Sequence, residues 1–236
     1  MNNRIMIIED NTHFAMSMNN YIQNHSNDVE AIKIEKDGEE IIEKIIKFKP
    51  NILLLDLQIP KANGIEIIEK MIKNKINNID IIIISGEINL LNKIPIVDYS
   101  LIKNVLVKPV DLEEVFKKIK YLINTNEINK RRRNIENVLS EFSFNKSSIG
   151  YEYLVEAIIM VVQDSSLLSN IEKLVYTRIA KKFNIDNSKK VKWSILKLLK
   201  SMIRYSKKEI VKRYFPYTLN PTPKIFIKEV SDIVRR

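Results

Sequence analysis

The first half of the chain alternates short β-branched apolar runs with longer helical patterns, and this alternation constrains the fold more than any other feature. Five strand-length runs cover 4–8, 29–34, 51–55, 81–84 and 104–107. Helical patterns follow them at 11–24, 38–48, 64–74, 87–94 and 111–123. Five successive strand–helix units predict a doubly wound parallel α/β sheet. The pattern is weakest in the fourth unit, which Pro95 interrupts.

The second half has helical patterns only. Its segments IENVLSEF, YEYLVEAIIMVVQD, SNIEKLVYTRIAKKFN, SKKVKWSILKLLKSMIRYS, KEIVKRYF and PKIFIKEVSDIVRR carry apolar residues at three- and four-residue spacing. Six short helices predict a compact all-α domain at 135–236, after an α/β domain at 1–123. The polar stretch 124–134 between them is predicted to be a linker, or the frayed end of the preceding helix.

Charge divides the chain in the same place. Residues 1–123 carry 16 Lys and Arg against 18 Asp and Glu, whereas residues 124–236 carry 23 against 11. The basic half suits nucleic acid or another polyanion, although solvated lysine-rich helices would give the same count. The chain has no cysteine, which excludes disulfides and thiolate metal sites. It has neither a secretion signal nor an apolar run of membrane-spanning length, so we expect a cytoplasmic protein without a membrane partner.

Charged side chains follow three of the predicted strands. Glu9 and Asp10 come after the first, Asp56 after the third and Lys108 after the fifth. Because parallel strands release their carboxyl ends at one edge of the sheet, we expect these groups to converge in one crevice. Carboxylates, together with the backbone carbonyl of Gln58, suit Mg²⁺, or Mn²⁺ or Ca²⁺ in its place.

Such a crevice can place a phosphoryl group on an aspartate. The reaction needs an acceptor held in line and positive charge around the incoming oxygens, which Asp56, the cation and Lys108 would provide. Ser85 adds a hydroxyl at the end of the fourth strand. Each residue alone could be an exposed group at a strand end of another α/β fold. The acid pair, the D-x-x-x-P-x-x-x-G motif that begins at Asp56, the hydroxyl and the Lys-Pro pair, in this order, favour the phosphoryl site.

In these residues the chain resembles the receiver domain of two-component response regulators, which has a CheY-like and flavodoxin-like fold, over 1–123. The resemblance implies that Asp56 accepts a phosphoryl group from a histidine kinase or phosphotransferase. The other roles it implies are Mg²⁺ binding by Glu9 and Asp10, a switch hydroxyl at Ser85, a phosphate contact at Lys108 and a cis peptide bond before Pro109. Val105 stands where an aromatic residue is frequent, and Ile59 where methionine is common. These departures concern the switch, not metal binding or phosphorylation.

Within 171–203, two helical patterns meet at a short polar turn, which is the spacing of a helix-turn-helix. Ala180 allows the two helices to approach, Ile185 can fill the turn and Ser188 can cap the second helix. The predicted buried stripe of that helix is Val191, Ile195, Leu198 and Met202. The N-terminal part of such a helix enters the major groove of DNA, and lysines there contact phosphates. The predicted DNA-contacting residues are Ser188, Lys189, Lys190, Lys192, Trp193, Lys197 and Lys200. A merely amphipathic helix with a lysine-rich wet face is the alternative.

Residues 135–236 resemble the C-terminal DNA-binding domain of the stage 0 sporulation regulators. The resemblance rests on YEYLVEAIIMVVQD, LVYTRIAKKFN with the Ser-started helix after it, YFPYT and PTPKIFIKEVSDIV. It implies a transcription factor that dimerises on phosphorylation and binds tandem DNA sites. The family carries S-R-V-E-R-A-I-R-H in its recognition helix, where this chain has SKKVKWSILK. Lys192 and Trp193 thus replace a Glu-Arg pair and Leu196 replaces an arginine, which marks a divergent member.

The predicted function is therefore that of a phosphorylation-activated, DNA-binding response regulator, with RNA polymerase as a candidate partner. The alternative is a response regulator whose helical output domain binds a protein partner instead of a specific DNA site. His13 and His25 have no neighbouring base or metal ligand in the sequence pattern. We therefore expect no enzyme activity beyond acceptance and slow loss of the phosphoryl group.

Overall fold

The computed structural model describes residues 3–87 and 100–236. They form two compact units that divide between Thr125 and Asn126. The helix predicted at 87–94 and the break predicted at Pro95 lie almost wholly outside the described residues. Within these ranges, no helix has both the length and the apolar composition needed to cross a membrane.

The first unit is built on a parallel sheet of five strands, which confirms the predicted doubly wound architecture. Its strands are β1 (Asn3–Ile8), β2 (Val29–Glu35), β3 (Ile52–Leu55), β6 (Asp80–Ser85) and β7 (Ile102–Val107), and β4 (Gln58–Ile59) pairs with β5 (Ala62–Asn63) in a small antiparallel hairpin. The spatial order is β2-β1-β3-β6-β7. The order reverses at β1 and β3, and in open α/β sheets ligands bind in the crevice outside the strand ends at this point.

Helices cover both faces of this sheet. They are α1 (Thr12–His25), α2 (Ile41–Phe48), α3 (Gly64–Lys73) and α4 (Leu112–Leu139). Side chains alternate along each strand, so Ile5 and Ile7 pack with α1 and α4 while Met6 and Ile8 pack with α2 and α3. All four residues of β3 are buried. The central strands therefore read as unbroken apolar runs, as expected for a sheet covered on both faces.

Helix α4 continues through the segment predicted to be a linker. Residues 124–134 are helical throughout, neither an extended connection nor a frayed end. The segment lacks Gly and Pro, and ion pairs one turn apart join Glu127 to Arg131 and Arg132 to Glu136. Such pairs stabilise the helical conformation of a polar segment. The prediction of a linker rested on the polarity of the segment. Polarity does not take account of the four-residue spacing of these oppositely charged side chains.

The second unit is helical in all its described elements, as predicted. After α4 come α5 (Ile149–Gln163), a 3₁₀ segment (Ser165–Asn170), a π-helical turn (Glu172–Tyr176), α6 (Thr177–Lys182), α7 (Ser188–Tyr205), α8 (Lys208–Tyr214) and α9 (Pro223–Arg235). They share one apolar core. A Cβ on Gly150 would lie 2.7 Å from the carbonyl oxygen of Ser194. Glycine at that position therefore lets α5 pack directly against the backbone of α7.

Candidate functional sites

Three carboxylates converge at the carboxyl ends of β1 and β3, as the sequence predicts. Glu9 and Asp10 follow β1, and Asp56 follows β3. One carboxylate oxygen from each lies within 4.8 Å of the others. Glu9 and Asp56 are buried, whereas Asp10 is exposed. Since the donors are all hard oxygens, this set fits a small divalent cation such as Mg²⁺.

Lys108 reaches the same carboxylates from the end of β7. Its Nζ lies 2.6 Å from Oε2 of Glu9 and 2.5 Å from Oδ2 of Asp56. Its side chain keeps 27% of its surface exposed. Burial would lower the pKa of Lys108, but the hydrogen bonds to Asp56 and Glu9 outweigh that effect and raise it above its ordinary value. Burial raises the pKa of Glu9, and the hydrogen bond from Lys108 opposes this rise.

The loop after β3 fixes the orientation of Asp56. The backbone N–H of Gln58 donates to Oδ1 of Asp56 at 3.0 Å, and the N–H of Gly64 donates to the carbonyl of Leu57 at 3.0 Å. A Cβ on Gly64 would lie 2.7 Å from the carbonyl oxygen of Asp56. The glycine of the D-x-x-x-P-x-x-x-G motif is therefore required by a close backbone approach. Gln58 lies beside the crevice, and its carbonyl as a metal ligand stays a prediction.

Ser85 and Lys108 are neighbours across β6 and β7. Ser85 is buried at the end of β6, where its Oγ accepts from the N–H of Glu87 at 3.3 Å. Its carbonyl accepts from the N–H of Lys108 at 3.1 Å. The peptide bond from Lys108 to Pro109 is cis, as the resemblance implies. Val105 lies on β7 with its side chain partly exposed.

Helices α6 and α7 flank the predicted turn. Ala180 is buried, and its carbonyl accepts from the N–H of Ile185 at 2.7 Å. Ile185 packs against the core. The prediction of Ser188 as the cap is wrong: Ser188 is the first helical residue, and the side chain of Asn187 accepts from the N–H of Lys189 at 2.8 Å. An Asn carbonyl reaches the amide two residues on, so it takes the capping role one position earlier.

The buried stripe of α7 is as predicted, with one addition. Val191, Ile195, Leu198 and Met202 are buried, and so is Leu199. The exposed residues of α7 lie outside this stripe.

Six of the seven predicted DNA-contacting residues of α7 fall into two groups. Lys189, Trp193, Lys197 and Lys200 are exposed. Lys190 is also exposed but pairs with Asp186 at 2.7 Å, and Lys192 is half-buried and pairs with Glu172. Ser188 is half-buried at the start of the helix.

The exposed surface of α7 continues beyond the predicted DNA-contacting residues. Arg204 and Tyr205 are exposed, and with Trp193, Lys197 and Lys200 they line a groove of about 630 Å³. The signal was present, because Arg204 lies seven and four residues after Lys197 and Lys200 on the same helical face.

Two family models account for nearly the whole chain. The response regulator receiver domain matches residues 5–120, and the sporulation initiation factor Spo0A C-terminal domain matches residues 135–234. The chain belongs to the Spo0A-type response regulators. The resemblances predicted for both halves are thereby confirmed.

Solved structures similar to this Spo0A-type regulator match its receiver half. The Francisella response regulator 1452 receiver domain is 22% identical, covers 53% of this chain and 99% of its own, and has a TM-score of 0.46. A CheY-like receiver domain protein from Methanospirillum hungatei JF-1 is 24% identical over 54% of this chain and 98% of its own, with a TM-score of 0.45. A signal receiver domain from Bermanella marisrubri is 25% identical over 52% and 99%, with a TM-score of 0.44.

Proposed function

We propose that this Spo0A-type response regulator is phosphorylated on Asp56 and then binds DNA through α7. The observation that carries the first half is the convergence of three carboxylates within 4.8 Å, joined by a lysine that bonds two of them. A carboxylate acceptor, a cation site and a fixed ammonium are the parts that phosphoryl transfer to aspartate needs.

The reaction is a substitution at phosphorus. An Asp56 oxygen attacks the phosphorus of a phosphohistidine on a kinase or phosphotransferase, and the O–P bond forms as the P–N bond breaks. The donor imidazole leaves with the bonding electron pair and takes up a proton. Gln58 holds one Asp56 oxygen through its N–H, and the Lys108 ammonium offsets the negative charge that arrives with the phosphoryl group.

Glu9, Asp10 and Asp56 would hold Mg²⁺ in this site. When bound, the cation supplies positive charge to the phosphoryl oxygens. Ser85 then offers its hydroxyl as a donor at the neighbouring strand end. The protein acts as an acceptor that slowly loses the group to water, and it has no substrate to turn over beyond this.

Phosphorylation would favour a receiver conformer that dimerises. Two linked helical domains then bind adjacent DNA sites, because the second contact is made at a high effective concentration. The match to the Spo0A C-terminal domain and the basic charge of residues 124–236 support DNA as the target. RNA polymerase is the partner that such a regulator would influence.

Helix α7 supports this assignment through its exposed face. It has 18 residues, and its N-terminal half carries Lys189 and Trp193 toward solvent. Lysines contact phosphates, whereas the large apolar surface of Trp193, 65% exposed, can contact thymine methyl groups in the major groove.

The test is selection of bound fragments from a random duplex DNA pool at physiological salt. The full chain is used with and without beryllofluoride, a mimic of the phosphoryl group on Asp56. Asp56→Asn serves as the unresponsive control, and Asp37→Asn, another receiver carboxylate, as the matched responsive one. The proposal is supported if the mimic strengthens enrichment of a motif in the wild type and in Asp37→Asn but not in Asp56→Asn. A motif equally enriched in Asp56→Asn would remove phosphorylation from the mechanism.

A protein-binding output is the second candidate, and one contact favours it. Lys192 replaces the family's glutamate and is paired with Glu172 within the domain, so it is not free to read a base. Absence of any enriched motif, from a folded protein that still binds the mimic, would favour this candidate.

A further inference from the structure

Four exposed cations of α7 and the exposed Trp193 form one continuous stripe along the helix. Lys189, Trp193, Lys197, Lys200 and Arg204 follow one another at three- and four-residue intervals and are exposed, so they share a face. The 18 residues of α7 span about 27 Å. This is more than twice the roughly 12 Å width of the major groove, so a helix that enters the groove also meets its walls.

The cations of this stripe differ from the other two lysines of the helix. In residues 3–87 and 100–236, no carboxylate pairs with Lys189, Lys197, Lys200 or Arg204, whereas Lys190 and Lys192 each pair with one. The helix itself contains no Asp or Glu. An unpaired cation can bind a phosphate without losing another interaction, whereas a paired cation must first break its ion pair with the carboxylate.

The C-terminal half of the stripe borders a groove suited to a polyanion. Lys197, Lys200, Ser201 and Arg204 line it between Trp193 and Tyr205. Ammonium, guanidinium and hydroxyl groups are the donors that phosphate and sugar oxygens accept from. Among the residues lining this groove none is acidic, so the complementary partner is negatively charged.

We infer that Lys189, Lys197, Lys200 and Arg204 contact the sugar–phosphate backbone of duplex DNA along the whole of α7, and that Lys190 and Lys192 do not. The inference rests on the proposed DNA binding and specifies its contact surface. It assigns Arg204 and the C-terminal half of α7 to the interface. Lys190 and Lys192 serve the domain itself by neutralising Asp186 and Glu172.

Two double variants of the full chain test this inference. Lys200→Gln with Arg204→Gln removes two stripe cations, and Lys190→Gln with Lys192→Gln removes two paired ones. Both variants lose the same formal charge from the same helix. Filter binding to a random-sequence duplex of about 30 base pairs is measured from about 50 to about 200 mM salt, and circular dichroism checks the helical content of each variant.

The expected result is a difference in salt dependence. Each phosphate contact contributes about 0.9 to the slope of log K against log salt, so the stripe variant should lose about 1.8. Over this fourfold salt range its affinity should fall about twelvefold less than that of the wild type. The paired-lysine variant should keep a slope close to that of the wild type.

Three results would overturn the inference. Equal loss of slope in both variants would mean that net charge alone matters. An unchanged slope in the stripe variant would remove Lys200 and Arg204 from the interface. Tighter binding of a single-stranded oligonucleotide of the same length would assign the stripe to another ligand. Failure of the wild type to bind the duplex at any salt would instead end the proposed DNA-binding function, and this inference with it.

Discussion

The crevice of the receiver and the stripe of α7 both concentrate charge, but they hold it differently. In the crevice Glu9 and Asp56 are buried and both bond Lys108. On α7 the stripe cations are exposed and, within the described residues, unpaired. A buried charge without a partner is costly, so the fold must fix the partners of the first group. The second group needs no internal partner and is free for an external one.

The sharpest test of the crevice removes its acceptor. Asp56→Asn should abolish covalent phosphoryl incorporation from acetyl phosphate, since an amide oxygen cannot form the acyl phosphate. The fold should persist because the Asn oxygen can still accept from the N–H of Gln58. Intact-protein mass spectrometry measures incorporation. Asp37→Asn, which changes a half-buried receiver carboxylate paired with Lys61, should incorporate the phosphoryl group as the wild type does. Incorporation in Asp56→Asn would place the acceptor elsewhere.

The next test asks whether the coupling of buried charges stabilises the receiver. Lys108→Met leaves two buried carboxylates without their cation, and we expect a loss of about 2–3 kcal/mol in unfolding free energy, below the range for fully buried pairs because Lys108 is partly exposed. Mg²⁺ should restore part of this loss by binding the folded state. Urea unfolding followed by hydrogen exchange of receiver peptides measures both effects.

Lys61→Met is the matched surface variant for that test. Lys61 pairs with Asp37 at 3.3 Å and with Glu39, and its side chain is largely exposed. Removing it should leave the unfolding free energy close to that of the wild type, because exposed ion pairs contribute little to stability. If the two lysine variants were equally stable, the contrast between crevice and surface charges would have no energetic basis.

A smaller effect should come from the backbone that supports Asp56. In Gly64→Ala the new Cβ would lie 2.7 Å from the Asp56 carbonyl oxygen and 2.8 Å from Cα of Leu57. We expect a loss of about 1–2 kcal/mol from overpacking. Gly86→Ala is the control, because no atom of the described residues lies within 4 Å of a Cβ there. If the same hydrogen-exchange measurement gave equal unfolding free energies for Gly64→Ala and Gly86→Ala, the backbone around Gly64 would be able to shift and accommodate the new Cβ at little cost.

The smallest effect concerns the start of α7. Asn187→Ala removes the observed cap and should lower the unfolding free energy of the helical domain by about 1 kcal/mol. Ser188→Ala, at the cap position that the sequence predicts, should change it by about 0.5 kcal/mol or less. Thermal unfolding followed by circular dichroism compares them. A larger cost for Ser188→Ala would restore the sequence-based cap.

The contrast between the two regions also explains what the sequence could predict. Glu9, Asp10, Asp56 and Lys108 each follow an apolar strand, and parallel topology alone brings such positions together. Their meeting was therefore predictable. So was the buried stripe of α7, because it depends only on helical period.

Contacts between distant surface residues could not be predicted in this way. Lys192 meets Glu172, which lies 20 residues earlier in the chain. Only the folded domain brings the two together. The sequence predicted Ser188 as the cap, whereas the structure has Asn187. Both residue types cap helices, and the backbone conformation determines which of them does so. The helical state of 124–134 was hidden by polarity that suits a linker and a solvated helix equally.

The place of Trp193 has a spectroscopic consequence. It is the one tryptophan of the chain, and it lies 65% exposed on α7. Fluorescence excited selectively at the indole therefore reports on the helical unit alone and not on the receiver. A base or sugar that covers the ring would shift its emission to the blue and shield it from iodide quenching. The native protein thus carries an unlabelled optical probe at the surface where its output is proposed to act.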